Sequence, residues 1–230
     1  MITLITYQAG FGQLSYSPFC VKAIWLLQAA GVAWQREDNN DPRKFPHAKL
    51  PAIRTPDGVI GDSHNIQSYL EGQGANFWGD VTDRSTGHAF IRMAEEHMYF
   101  HLLLDRWAND DIWAIIRDKY FADVPKLVRK PVTGFIRKAV LKGADAQGLG
   151  RFTPAERLDR IEPDLVAIAA RLQNHPYLMG AQISLPDYSV AAMLCGMLAA
   201  PLSTPLKERV AQDAILSDYA TRVADRMAPA

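Results

Sequence analysis

Cysteine is scarce in this chain. Only Cys20 and Cys195 occur among 230 residues, too few and too far apart for a disulfide framework. The opening segment, "MITLITYQAG", lacks the basic flank of a secretory leader. Together these absences predict a reducing, cytoplasmic setting. Long apolar runs are missing as well: none reaches the roughly 18 residues that a spanning helix needs. The nearest, "SVAAMLCGMLAAPL", stops at Leu202 just after Pro201 and predicts a buried core helix. An excess of either charge is also absent, since 25 Lys and Arg balance 25 Asp and Glu. No overall field therefore recruits nucleic acid or an acidic membrane, and a charged ligand has to be held locally. There is no internal repeat and no low-complexity tract.

What the chain does contain is enough apolar residue, 48%, for one large or two modest domains. "MITLITY" is a β-branched run suited to an inner strand covered on both faces. Ser17 and Pro18 follow as an N-cap and first helical position, with Gly31 as the stop. "VAWQRE" predicts a second strand and a polar connection running through Lys49. Two short strands, Ala52 to Thr55 and Val59 to Ile60, flank the "PDG" turn, and a helix starts at Asp62 or Ser63 and runs to about Leu70.

From about Thr82 only helical patterns remain: Thr82 to Asn109, Asp111 to Phe121, Thr153 to His175, Ser184 to Ala199 and Asp213 to Met227. The shift falls in "GQGANFWGDVTD". The expected organisation is an α/β domain over 1–75 followed by an all-helical domain over 83–230. Pro163 is expected to kink or divide its helix, and Pro131 argues against one continuous helix in the segment around it. Ser184 and Asp187 form a near capping box.

Three helix or strand starts carry candidate chemistry. Ser17 either caps its helix or, with the free helix end and the nearby Cys20 thiol, helps to hold a thiolate. Leu50 before Pro51 is either an ordinary strand start or, if that bond is cis, turns its N–H and C=O outward to a peptide-like ligand. Asp62 and Ser63 either cap a helix or grip the carboxylate and ammonium of an amino-acid head group.

The S-P-F-C helix start at Ser17 to Cys20, "KLPAI" at Lys49 to Ile53, "GDSHNI" at Gly61 to Ile66 and "SLPDYSVAAML" from Ser184 occur in one order over nearly the whole chain. In this it resembles the soluble glutathione transferases, whose first domain is thioredoxin-like and whose second is a helical bundle. The S-P-F-C element with a following Lys is also similar to the failed-axon-connections and metaxin-related branch. It is similar to glutaredoxin-like C-P-x-C too, with serine in the place of the first cysteine.

The resemblance implies glutathione as co-substrate, conjugated to small hydrophobic electrophiles in a detoxifying reaction. It implies that Ser17 contacts the glutathione sulfur, with Tyr7 the rival donor and Tyr16 a third. Cys20, one turn into the helix, either forms a mixed disulfide with glutathione through an exposed thiolate or faces the domain core as a small apolar residue. The resemblance further implies that Leu50 pairs with the cysteinyl unit beside Pro51, and that Asp62 and Ser63 hold the γ-glutamyl end. Lys49, with Lys44 or His47, would approach the glycyl carboxylate. The acceptor would lie between the domains, against Tyr99, Phe100 and Trp107, and the protein would be a homodimer. A glutathione-binding interaction module and a thiol oxidoreductase are the alternatives.

Two further features stand apart. His97 and His101 lie at i, i+4 without a third metal ligand set by the pattern, so no metal is expected. Between Lys126 and Lys142 there are six basic residues and no acid, which reads as a solvated face, an anion-attracting rim or a membrane-facing surface.

Overall fold

In the computed structural model, which describes residues 1–228, the opening β-branched run forms β1 (Ile2–Thr6), buried along its whole length. β1 lies inside a four-stranded sheet of order β2-β1-β3-β4, as its unbroken apolar pattern predicts. β2 (Trp34–Asp38) runs parallel to it, while β3 (Ala52–Thr55) is antiparallel, as is β4 (Gly58–Gly61) to β3. The parallel crossover is supplied by α1 (Pro18–Ala29), and α2 (Ser63–Gly72) follows the last strand. Between β2 and β3 the polar connection holds two short 3₁₀ turns, Pro42–Lys44 and Pro46–Ala48. Pro46 lies directly on β4: a Cβ at Gly61 would meet its ring carbon at 2.7 Å. Glycine at 61 thus lets the connection close over the sheet end. This β-α-β-β-β-α arrangement is a thioredoxin-like domain.

The rest is helical: α3 (Arg84–Arg92), a π-helical segment (Met93–Met98), α4 (Tyr99–Trp107), α5 (Asp110–Tyr120), α6 (Lys126–Gln147), α7 (Pro154–Leu172), α8 (Leu185–Leu198), α9 (Pro205–Gln212) and α10 (Ala214–Arg226). α8 is buried on nearly every side, the structural meaning of its uniformly apolar sequence. α1 packs against it, and Val21, Ile24 and Leu27 share one apolar core with Met98, Leu102 and Leu194.

Three expectations are corrected. α6 and α9 are regular helices that the sequence pattern did not reveal. α7 is not divided at Pro163: that proline is exposed, the carbonyl it leaves unbonded belongs to exposed Asp159, and Ile161, Leu165, Ile168 and Leu172 anchor the helix from the buried side. α6 likewise runs through Pro131, whose unbonded carbonyl, on Leu127, also faces water.

A buried ion pair joins the two parts. Lys22 on α1 donates to Glu95 Oε1 at 2.6 Å, and Ser189 Oγ on α8 donates to the same oxygen at 2.8 Å. Glu95 sits in the π-helical segment, a deviation that often marks a constrained position inside a helix.

Candidate functional site

Ser17 is the N-cap of α1, with extended backbone (φ −103°, ψ 126°), but its hydroxyl makes no capping bond. The expected cap is therefore one of position only. The local hydrogen bonds are made instead by Ser15, which sequence reasoning passed over. Its hydroxyl accepts from the Ser17 N–H at 3.4 Å and donates to the Tyr7 carbonyl at 2.8 Å. Thr6 Oγ1 lies 3.2 Å from it. Pro18 marks Ser17 in the sequence, whereas no local signal marks Ser15; only the fold of the loop reveals its role.

Cys20, one turn further, is fully buried among Ile5, Leu50 and Ala52. Burial pushes its thiol upward against the opposing hydroxyls of Thr6, Ser17 and Ser15. Of the two readings of Cys20, this is the one in which it faces the domain core; the mixed disulfide requires an exposed thiolate, which the enclosure withholds. Tyr7 packs half-buried on the same cluster. Burial first, then the neighbouring Cys20, Tyr99 and Asp41, raises its phenol, so Tyr7 stays a protonated donor. Tyr16 turns elsewhere: its ring lies 4.2 Å from that of Tyr120 and 5.6 Å from that of Phe11. Its carbonyl accepts from Arg106 at 2.7 Å, and Arg106 also donates to Gly196 of α8 at 2.8 Å.

The Leu50–Pro51 peptide is cis. Leu50 packs beside Cys20, which brings the start of α1 next to this bond. On its other side the Pro51 carbonyl accepts from the Asp62 N–H at 3.1 Å, which brings the start of α2 there too. Asp62 caps α2 through Oδ1, accepting from the His64 N–H at 2.8 Å. It does so at φ 78°, a conformation strained for a residue with a Cβ. Ser63 is buried immediately behind it. Lys49, Lys44 and His47 are exposed on the connection in front of β3, with His47 and Ala48 both at positive φ.

A continuous path of contacts thus runs Ser17, Cys20, Leu50, Pro51, Asp62, Ser63. Two helix N-termini and one strand start meet along a single edge of the sheet, and each end of that edge offers N–H donors and a hydroxyl. Such an arrangement is chemically suited to an extended, anionic, peptide-like molecule.

Across from Ser17 the helical part presents Tyr99, whose ring meets Phe19 edge-on at 4.8 Å; burial raises the Tyr99 phenol to about 12. Phe100 touches Tyr99 but packs with Leu104, Ala144 and Leu149. Trp107 stacks on Trp113 at 4.9 Å in a cluster around α5. Of the three aromatics expected on the acceptor side, Tyr99 alone reaches the start of α1 by these contacts.

The two histidines are engaged with each other and with Asp164: His97 Nδ1 lies 2.6 Å from Asp164 Oδ2 and His101 Nε2 lies 3.3 Å from His97 Nε2. Among the described residues no group of three or more His, Cys, Asp or Glu is arranged to hold a metal ion. Two cavities lie away from the edge just described. One of about 40 Å³ adjoins His101, Asp105 and Arg157. The other, of about 290 Å³, lies between Phe11 and Gln13 and helices α8 and α10.

A sequence model described as the glutathione S-transferase N-terminal domain matches residues 18–112. An isoprene-epoxide–glutathione S-transferase of Rhodococcus sp. (strain AD45) is 28% identical, with 84% of this chain and 85% of that protein covered. Among solved structures, the β-etherase LigF of Sphingobium sp. strain SYK-6 superposes over 98% of both chains with a TM-score of 0.68 at 17% identity. A glutathione S-transferase of Methylobacterium radiotolerans, in complex with glutathione sulfonate, covers 98% of this chain and 91% of its own length, with a TM-score of 0.62 at 16% identity. At these identities the two structures share the fold.

Proposed function

We propose that this chain, which belongs to the soluble glutathione transferase superfamily, conjugates the thiolate of glutathione to small hydrophobic electrophiles. The observation that carries the reading is the path from Ser17 through Leu50 and cis-Pro51 to Ser63, with a serine hydroxyl that makes no capping bond at one end and a helix N-terminus at each. In this reading residues 1–75 hold glutathione and residues 83–230 supply the acceptor side. Leu50 pairs with the cysteinyl unit through its backbone. Asp62 and Ser63 hold the γ-glutamyl carboxylate and ammonium, and Lys49 attracts the glycyl carboxylate.

The chemistry needs glutathione ionised near neutrality, whereas a free thiol titrates near 8.5. Lowering that value by about two units requires about 2.7 kcal/mol. A hydrogen bond to a charged acceptor contributes about 1.5–3 kcal/mol and a helix N-terminus about 0.3–2 kcal/mol. Ser17 Oγ and the start of α1 together suffice without a buried base. Ser17 is therefore a donor to the thiolate, with Tyr7 the alternative donor. Tyr99 and Phe19 form an apolar wall for the acceptor. The relative from Rhodococcus favours an epoxide as the acceptor class, its ring opened by attack of the sulfur on carbon while the oxygen takes up a proton. The homodimer, the cytoplasmic setting and the detoxifying role belong to the same proposal.

Calorimetry with glutathione tests the binding half, and an electrophile panel with an epoxide, an aryl halide and a disulfide tests the chemistry. Binding at millimolar concentration with turnover of the epoxide is expected. Failure to bind at that concentration removes the site assignment. Binding without any turnover leaves a glutathione-binding module in place of an enzyme.

A further inference from the structure

Helix α6 exposes four large apolar residues, Leu127, Val128, Val132 and Phe135, more than any other described helix of the second domain. Leu127 is 95% exposed and Phe135 77%. With Pro131 they follow at i, i+4 and i+8, and exposed Val128 and Val132 lie beside them. That spacing makes one stripe on the solvent side of the helix. The opposite side holds α6 to the protein through Thr133 and Ala144, both buried.

The basic residues of the segment divide along the same line. Its two arginines are consumed internally. Arg129 donates to the Val124 and Ala122 carbonyls. Arg137 donates to the Trp107 carbonyl, pairs with Asp110 at 2.7 Å and lies over the Trp113 ring. The four lysines, Lys126, Lys130, Lys138 and Lys142, are exposed and enter no ion pair among the described residues. No acidic residue occurs between Asp123 and Asp145. Lys138 and Lys142 continue the outward stripe beyond Phe135, so an apolar half is followed by a cationic half on one face.

We propose that this face of α6 docks the protein on a bilayer containing anionic lipids, with Leu127, Val128, Val132 and Phe135 entering the headgroup boundary and the lysines meeting the lipid phosphates. Charge decides against a second copy as occupant: the same face on both copies carries lysines and no acid, so pairing it with itself brings like charges together with nothing on the face to offset them. The mixture on one face of exposed apolar side chains and lysines matches the acyl boundary and the phosphates above it, with the lysine stems free to reach outward. Docking here adds an interface to the molecule and uses none of the residues assigned to glutathione.

Flotation with vesicles of phosphatidylcholine alone, and of phosphatidylcholine mixed with phosphatidylglycerol, tests the proposal on the whole chain. The protein should float with the anionic vesicles and stay behind with the neutral ones. K138Q/K142Q should weaken binding about 25-fold, at about fivefold per lysine near an anionic surface. L127S/F135S should weaken it by at least about tenfold per lost side chain. Both variants alter exposed positions, so their melting temperature and glutathione binding should match the parent, which keeps this test separate from that of the transferase reading. Absence of flotation at low salt overturns the proposal, as does binding that ignores the lysine variant. If sedimentation instead reveals a dimer in vesicle-free solution that L127S/F135S abolishes, a second copy covers the face and the bilayer does not.

Discussion

Ser17 and Ser184 both open a helix with a proline among its first two residues, yet their hydroxyls are used in opposite ways. Ser184 is buried and closed off: its N–H and its Oγ donate to Asp187 Oδ2 at 2.8 and 3.0 Å. Asp187 Oδ1 in turn accepts from the Leu178 N–H at 2.9 Å and the Tyr219 hydroxyl at 2.8 Å. Every acceptor position has a partner. Ser17 makes no such bond, and the loop is tied by Ser15 instead. The same chemical signal, a serine at a helix start, is a structural rivet in the interior of the helical domain and an open hand on the edge of the sheet. The contrast extends to charge. Lys22 and Glu95 are buried and paired with each other, with Ser189 donating to Glu95 as well, whereas Lys49 and Asp62 face solvent.

Substitution in the interior set should destabilise the fold, and substitution on the edge should spare it. Glu95→Ala leaves Lys22 as an unpaired buried charge and should lower stability by about 3–5 kcal/mol, measured by urea denaturation. Replacing both partners with apolar residues of similar size should recover most of that loss. Asp187→Ala strands four buried donors, each worth about 1–3 kcal/mol, and should lower stability by at least about 4 kcal/mol in the same measurement. On the edge, Ser63→Ala removes a single hydroxyl from a buried residue and should change stability by no more than about 1 kcal/mol. It should weaken glutathione binding by at least about tenfold in calorimetry, the value of one hydrogen bond to a carboxylate.

A pH prediction concerns the interior set alone. Burial, then the charges of His97, Arg157 and Arg160, lowers the His101 imidazole to about 3 from 6.5. The folded state thus keeps it neutral while the unfolded chain protonates it. Stability that is present above about pH 6.5 is lost as pH falls toward 3, with a slope of at most about 1.4 kcal/mol per pH unit from this group. His101→Gln should show a shallower acid limb than the parent. Ser184→Ala, the smallest of these, should cost about 1 kcal/mol.

Much of the fold was legible because its signals are local. An unbroken β-branched run specified the inner strand, Ser17-Pro18 specified the start of α1, and a run without polar faces specified the buried α8. α6 was not legible because its apolar residues face water. Its periodicity points away from the core, and Pro131 adds a local signal against the helix that an exposed carbonyl renders harmless. α9 is too short, at 8 residues, for its period to stand out. At the site, the motif positions could be read from the chain, since each is a helix or strand start. The enclosure of Cys20, the turning away of Tyr16, the substitution of Ser15 for Ser17 in the loop and the pairing of Lys22 with Glu95 are set by neighbours distant in sequence. No local pattern records them.

The central claim is that Ser17 keeps its hydroxyl for the sulfur of glutathione. Titrating the ultraviolet thiolate absorbance of bound glutathione in the parent and in Ser17→Ala tests it most directly. A rise of about one to two units in the thiol pKa of bound glutathione, the equivalent of one hydrogen bond to a charged acceptor, is predicted, with the melting temperature unchanged. An unchanged titration in Ser17→Ala would contradict the account and move the role to Tyr7.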